Sequence, residues 1–219
     1  MDVLLITIGG LFAAVATIVI SLIANKAWIT KFTLGGVLVW VMSYSVILLG
    51  YSLTSTEKVL ATNEPKEYCG FYLDCHLSTV VTGVRQARSI GDMTANGEFY
   101  VVTVRVFSNA KNPSIGLHLI EPNGIVFDAN GTSFARNASA ESVLPTAEVH
   151  LGQSIWNSKP IEKEIVFDLP VDVKDPRLDI SEGFGIDKVI EAVLIGDEDS
   201  ILHKRTYFRL QEQNGTGRL

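Results

Sequence analysis

The residues best able to do chemistry are few and scattered. Asp197-Glu198-Asp199-Ser200 gathers oxygen-bearing side chains, with His203 just beyond. Clustered hard oxygens suit a divalent cation such as Ca²⁺, although the ligand spacing of a known calcium loop is missing. The same run also reads as an acidic hairpin turn facing water. Asp197, Glu198, Asp199 and His203 are therefore candidates for contact with a cation or a partner. His76, His118, His150 and His203 show no metal-ligand spacing among themselves, so no metal is assigned. Gly152-Gln153-Ser154-Ile155-Trp156 starts like a nucleophile elbow and fails at Trp156, where a second glycine is needed. Gly183-Phe184-Gly185-Ile186-Asp187-Lys188 lacks the third glycine of a dinucleotide loop. With no nucleophile beside a base, the expectation is a protein without catalytic residues and without a cofactor.

Only two cysteines occur, Cys69 and Cys75, in Cys-Gly-Phe-Tyr-Leu-Asp-Cys. A close pair in a chain otherwise without cysteine suits a small disulfide loop in an oxidising compartment, and two independent buried thiols are the alternative. His76 follows Cys75, but haem attachment needs two residues between the cysteines and here there are five.

Two long apolar runs must position everything else. Val3 to Ala24 and Leu34 to Leu53 contain no charge, and Asn25 to Thr33 between them carries Lys26 and Lys31. At about 1.5 Å per residue each run spans a hydrocarbon core of about 30 Å. The expectation is a transmembrane hairpin over residues 1–53, with helices at 3–24 and 34–53, anchoring the chain in the lipid bilayer. Gly9/Ala13 and Gly10/Ala14 are spaced to let the second helix approach closely. Trp28 and Tyr51 fit an interfacial aromatic belt. The start Met1-Asp2 lacks the basic residues of a cleaved signal peptide. Lysines in the short loop favour a cytoplasmic loop, which puts both ends outside, in the compartment that a Cys69–Cys75 bridge would need. The expected location is the cell membrane, multi-pass, with the C-terminal domain extracytoplasmic.

Beyond residue 53 the chain holds 23 of the 24 acidic and 16 of the 18 basic residues, a net charge of −7. That argues against a nucleic-acid partner and against a domain lying on anionic lipid. Residues 54–77 read as a linker with the Cys69–Cys75 loop, 78–211 as a β-sandwich and 212–219 as a tail. In Glu98–Phe107, Tyr100, Val102, Val104 and Val106 share one face, expected in the core; Phe99, Thr103 and Arg105 share the other, expected nearer solvent. Ile165, Phe167 and Leu169 point inward in a second strand. Gly91 to Gly97 reads as a turn, Leu117–Phe127 as a hairpin turning at Pro122-Asn123-Gly124, and Asn130–Val143 as a surface loop. Ile186–Leu194 fits a helix by spacing and a strand or irregular turn by residue type, and residue type is given more weight.

Gly97–Asn109 (GEFYVVTVRVFSN), Leu119–Gly131 (LIEPNGIVFDANG) and Lys163–Ser181 (KEIVFDLPVDVKDPRLDIS) together resemble a family of bacterial extracytoplasmic immunoglobulin-like domains. These are secreted or membrane-anchored and include the secreted mycobacterial immunoprotective antigen type. The resemblance spans about Thr79 to Leu210. It implies an all-β immunoglobulin-like sandwich outside the cytoplasm, with no catalytic residues to carry over. This chain differs in its two-helix anchor and in a more charged ending, Gly196–Leu210. The functional expectation is a membrane-anchored binding module that contacts an unknown protein or envelope component. The alternative is a domain that senses a ligand or divalent metal at the envelope.

Overall fold

The computed structural model describes residues 2–68, 76–112, 114, 116–156, 159–183 and 185–211. Cys69, Cys75 and the tail 212–219 lie outside the described residues, and with them the expected bridge. In chain order the elements are α1 (Asp2–Ile23), α2 (Ala27–Thr54), β1 (Lys58–Leu60), β2 (Pro65–Tyr68), β3 (Leu77–Ile90), β4 (Met93–Ser108), β5 (Asn123–Phe127), β6 (Ser133–Ala135), α3 (Ala138–Glu141), β7 (Ile161–Leu169), β8 (Arg177–Ser181), α4 (Ile186–Ala192) and β9 (Thr206–Arg209). They form two compact units. Met1–Thr56 joins Lys188–Lys204, and Glu57–Asp187 joins Arg205–Leu219.

In the first unit the connection between the long helices is shorter than the expected 25–33. Asn25 adopts φ +56, a left-handed conformation that asparagine tolerates, and α2 starts at Ala27, so Lys31 lies within the helix. Polar side chains tie the pair together. Trp40 Nε1 donates to Thr7 Oγ1 at 3.2 Å, and the hydroxyls of Ser21 and Thr30 lie 2.5 Å apart. The glycines are placed otherwise than expected. A Cβ added at Gly9 or Gly10 would meet nothing within 4 Å, so neither glycine serves a close helix approach. Both helices are long and apolar enough to cross a membrane, and only 6% of each apolar window is buried.

The second unit is β-rich, with two sheets. One has the order β1-β9-β8-β5-β6 and the other β2-β3-β4-β7. All neighbours pair antiparallel except β1 and β9, which are parallel, with Val59 opposite Tyr207. Tyr100, Val102, Val104 and Val106 from β4 meet Ile165, Phe167 and Leu169 from β7 in one core with Val126, Leu178, Ile180 and Phe208 from the facing sheet. Gly97 sits where a Cβ would collide with the backbone carbonyl of Leu169, so the close approach of β4 to the end of its neighbour β7 requires glycine.

Several expectations fail here for physical reasons. The supposed linker 54–77 contains β1 and β2, three and four residues long, each specified by distant partners rather than by its own pattern. The turn expected at 91–97 is confined to Gly91 (φ +56) and Asp92, because β3 and β4 keep pairing as far as Ile90 and Met93. Leu117–Phe127 is not a hairpin. β5 pairs with β8 and β6, Leu117 bridges Ile155, and Glu121 takes the positive φ (+44). The presumed loop 130–143 holds β6 and α3, capped by Asn137 Oδ1 accepting from Ala140 N at 3.0 Å. α3 covers the outer face of β4, so Phe99 is 2% exposed instead of solvent-facing, packed with Val101, Val166, Ala140 and Leu144. Arg105 is exposed as expected and pairs with Glu162 at 2.7 Å. Residues 186–192 are helical, so helical spacing prevails over residue type.

Candidate functional site

The acidic turn follows α4 directly. Asp197 Oδ1 accepts from Asp199 N at 2.9 Å, and the Asp197 carbonyl accepts from Ser200 N at 3.2 Å, so the turn folds on its own first residue. His203 Nδ1 lies 2.8 Å from the Lys204 carbonyl oxygen. Glu198, Asp199 and His203 are all close enough to Asp197 to act on its charge. Burial pushes the Asp197 carboxyl up to about 6, with the Asp199 and Glu198 carboxylates adding to the rise while the Asp199 amide and His203 oppose it. The four candidates are thus neighbours. Among the described residues, however, no group of three or more His, Cys, Asp or Glu side chains is arranged to hold a metal ion.

The raised carboxyl has a pH consequence. Between about pH 4 and pH 6 the folded chain holds a proton that the unfolded chain has released, so stability falls as pH rises through that window and levels off above it. We expect Asp197→Asn to remove about 1–3 kcal/mol of that fall. Thermal unfolding of the full chain in detergent across the window checks it, with equal slopes in both proteins as the contrary result.

A second concave site lies in the β-rich unit, where sequence spacing gave no sign of it. A cleft of about 670 Å³ is lined by His118, Glu121, Arg136, Glu141, His150 and Lys163, among others. Both histidines are exposed. The charged side chains beneath them are committed to the fold. Arg136 grips Glu141 with Nε to Oε1 at 2.9 Å and Nη2 to Oε2 at 2.5 Å, and Glu141 Oε1 also accepts from Val166 N at 3.1 Å. Buried Lys163 donates to the carbonyls of Thr146 at 2.8 Å and Ala147 at 3.2 Å. These groups fasten α3 and the following loop to β7. His76 lies away from this cleft, with Nδ1 2.7 Å from Asn109 Oδ1.

Among the described residues the most deeply buried charge pair is between the sheets. Lys66 on β2 reaches across to Asp179 on β8 at 3.3 Å and donates to the Ile180 carbonyl at 2.7 Å. Asp179 Oδ2 also takes Arg205 Nη1 at 2.6 Å. Tyr68 OH donates to the same Ile180 carbonyl at 2.9 Å and lies 3.0 Å from Thr79 Oγ1. The network ties β2, an edge strand of one sheet, to β8 in the middle of the other.

No protein-family model matches the chain, and no curated protein matches its sequence. Two solved structures are similar to it. One is the secreted protein MPT63 from Mycobacterium tuberculosis, at 13% identity and TM-score 0.42, covering 60% of this chain and all of that one. The other is a conserved hypothetical protein from Bacillus anthracis, at 16% identity and TM-score 0.37, covering 53% of this chain and 92% of that one.

Proposed function

We propose that this chain is a membrane-anchored binding module. Two helices hold an extracytoplasmic, immunoglobulin-like domain that contacts a protein or envelope component and performs no catalysis. The observation that carries the reading is the helix pair: two uninterrupted apolar helices of 22 and 28 residues, almost wholly exposed, in a chain whose polar remainder has its own core. Such surface is stable in lipid and not in water. The immunoglobulin-like assignment draws on the resemblance over Gly97–Ser181 and, among the described residues, on nine strands in two sheets around one core. Lys26 in the tight turn and Lys31 just after it favour a cytoplasmic turn, with both ends outside. The absence of catalysis is supported by a cleft whose buried charges are all engaged in fastening the fold.

The expected outcome of a topology experiment is a C-terminal tag open to protease on spheroplasts and a tag in the 24–26 turn that is shielded. Non-reducing mass spectrometry of the same sample should find Cys69 and Cys75 without free thiols. A shielded C-terminus would overturn the orientation and remove the ground for the bridge. The gathered carboxylates at Asp197 and Asp199 favour a second reading, a sensor of a divalent cation. A thermal shift with Ca²⁺, Mg²⁺ or Zn²⁺ that Asp197→Asn abolishes would replace the first reading with it.

A further inference from the structure

We infer that Lys188–Lys204 is a second membrane contact, an apolar strap lying along the outer end of α2 with its exposed side chains in the lipid interface. The inference rests on the reading of α1 and α2 as membrane spans.

α2 has 28 residues against 22 in α1, so it outruns its partner by about 9 Å. The pairing of Trp40 with Thr7 and of Thr30 with Ser21 fixes the relative depth of the two helices. Continued along α2, this puts Tyr44 level with the first turns of α1, within the apolar span. Tyr44 OH donates to the Val193 carbonyl at 2.5 Å. At the far end, Lys204 N donates to Ser55 Oγ at 2.8 Å. Tyr44, Leu48, Ser52 and Ser55 lie on one face of a helix by their spacing. The two residues between the anchor points, Leu48 and Ser52, are the ones α2 buries. Segment 188–204 therefore runs down this face from above the span to the depth of Tyr44.

The exposed side chains of this segment include large apolar ones. Val189 is 65% exposed, Ile201 52% and Leu202 63%, and Val193 is also exposed. The segment is internally closed, so these side chains sit on a formed element. Ile201 N donates to the Ala192 carbonyl at 3.0 Å, and Ser200 Oγ donates to the Leu194 carbonyl. Water would penalise such a surface, whereas the boundary of headgroups and acyl chains accepts it. The segment carries Glu191, Asp197, Glu198 and Asp199 against Lys188 and Lys204. Attraction to anionic headgroups cannot drive the contact, so it depends on apolar burial in any bilayer, neutral ones included.

The test uses the full chain with Cys69→Ser and Cys75→Ser in phosphatidylcholine vesicles. Single cysteines at 189, 201 and 202 carry an environment-sensitive fluorophore, and Leu38→Cys and Val143→Cys serve as lipid and water references. We expect a nitroxide near the headgroup end of the acyl chain to quench 189, 201 and 202 strongly, a mid-bilayer nitroxide to quench 38, and neither to quench 143. Added salt and anionic lipid should leave the pattern unchanged. If 38 is quenched while 189, 201 and 202 behave like 143, the strap is overturned and the membrane hairpin stands. If 38 is not quenched either, both fail. Probes that are blue-shifted but unquenched, with crosslinks between chains that grow with protein density, would mean that a second copy covers the face, which also overturns a lipid contact.

Discussion

Replacing Asp179 with alanine is expected to destabilise the β-rich unit by about 3–5 kcal/mol. The carboxylate is 4% exposed and receives Lys66 at 3.3 Å and Arg205 at 2.6 Å. Lys66 is also 4% exposed, so the substitution leaves an ammonium in the interior facing a cavity. Arg205 has a half-exposed side chain and can turn to water, so the cost falls mainly on Lys66. The pair is less valuable than this loss suggests, because two charges had to be dehydrated to form it. Lys66→Met with Asp179→Leu should therefore recover much of the loss. Pulse proteolysis of the full chain in detergent across a denaturant series measures both. A loss under about 1 kcal/mol for Asp179→Ala would mean that the pair is hydrated and does not hold β2 to β8.

What could be read in the sequence follows from how local each determinant is. The apolar helices and the inward face of β4 are written in consecutive residues with a fixed period, so they are visible without a partner. The acidic turn is equally local, since Asp197, Asp199 and His203 are close in sequence as well as in space. Lys66 and Asp179 are 113 positions apart, and neither shows by its neighbours that it will be buried. β1 fails for the same reason. Lys58-Val59-Leu60 is too short to carry a pattern and is a strand because β9 lies beside it. His118 and His150 reach one cleft only through the Leu117–Ile155 bridge and the loop around it. In the hairpin expected at 117–127, turn chemistry was present but lost to a competing partner, since β8 offers β5 five paired positions. In 186–192 residue type pointed to strand, yet the segment satisfies its own backbone as a helix.

Phe99 is the most consequential misreading, and it leads to the second large effect. Strict alternation puts it on the outer face of β4, and it is on that face. What alternation cannot show is that α3 covers this face, because Ala138–Glu141 and Leu144 arrive from a stretch with no period of its own. Phe167→Ala, in the core between the sheets, is expected to cost about 3–5 kcal/mol, the transfer of a ring plus the cavity it leaves. Phe99→Ala should cost nearly as much, toward the low end of that range, since α3 is a single turn and can settle into the space. Arg105→Ala, on the same outer face but beyond the cover, should stay within about 1 kcal/mol, as exposed ion pairs do. Asn137→Ala removes the cap of α3 and should lower stability by about 1 kcal/mol. In combination with Phe99→Ala it should cost less than the sum, because both loosen the same cover. The four single variants and the double variant are compared by denaturant titration of the full chain in detergent. If Phe99→Ala falls with Arg105→Ala instead of with Phe167→Ala, α3 does not close over β4, and the outer face of that sheet is open to a partner.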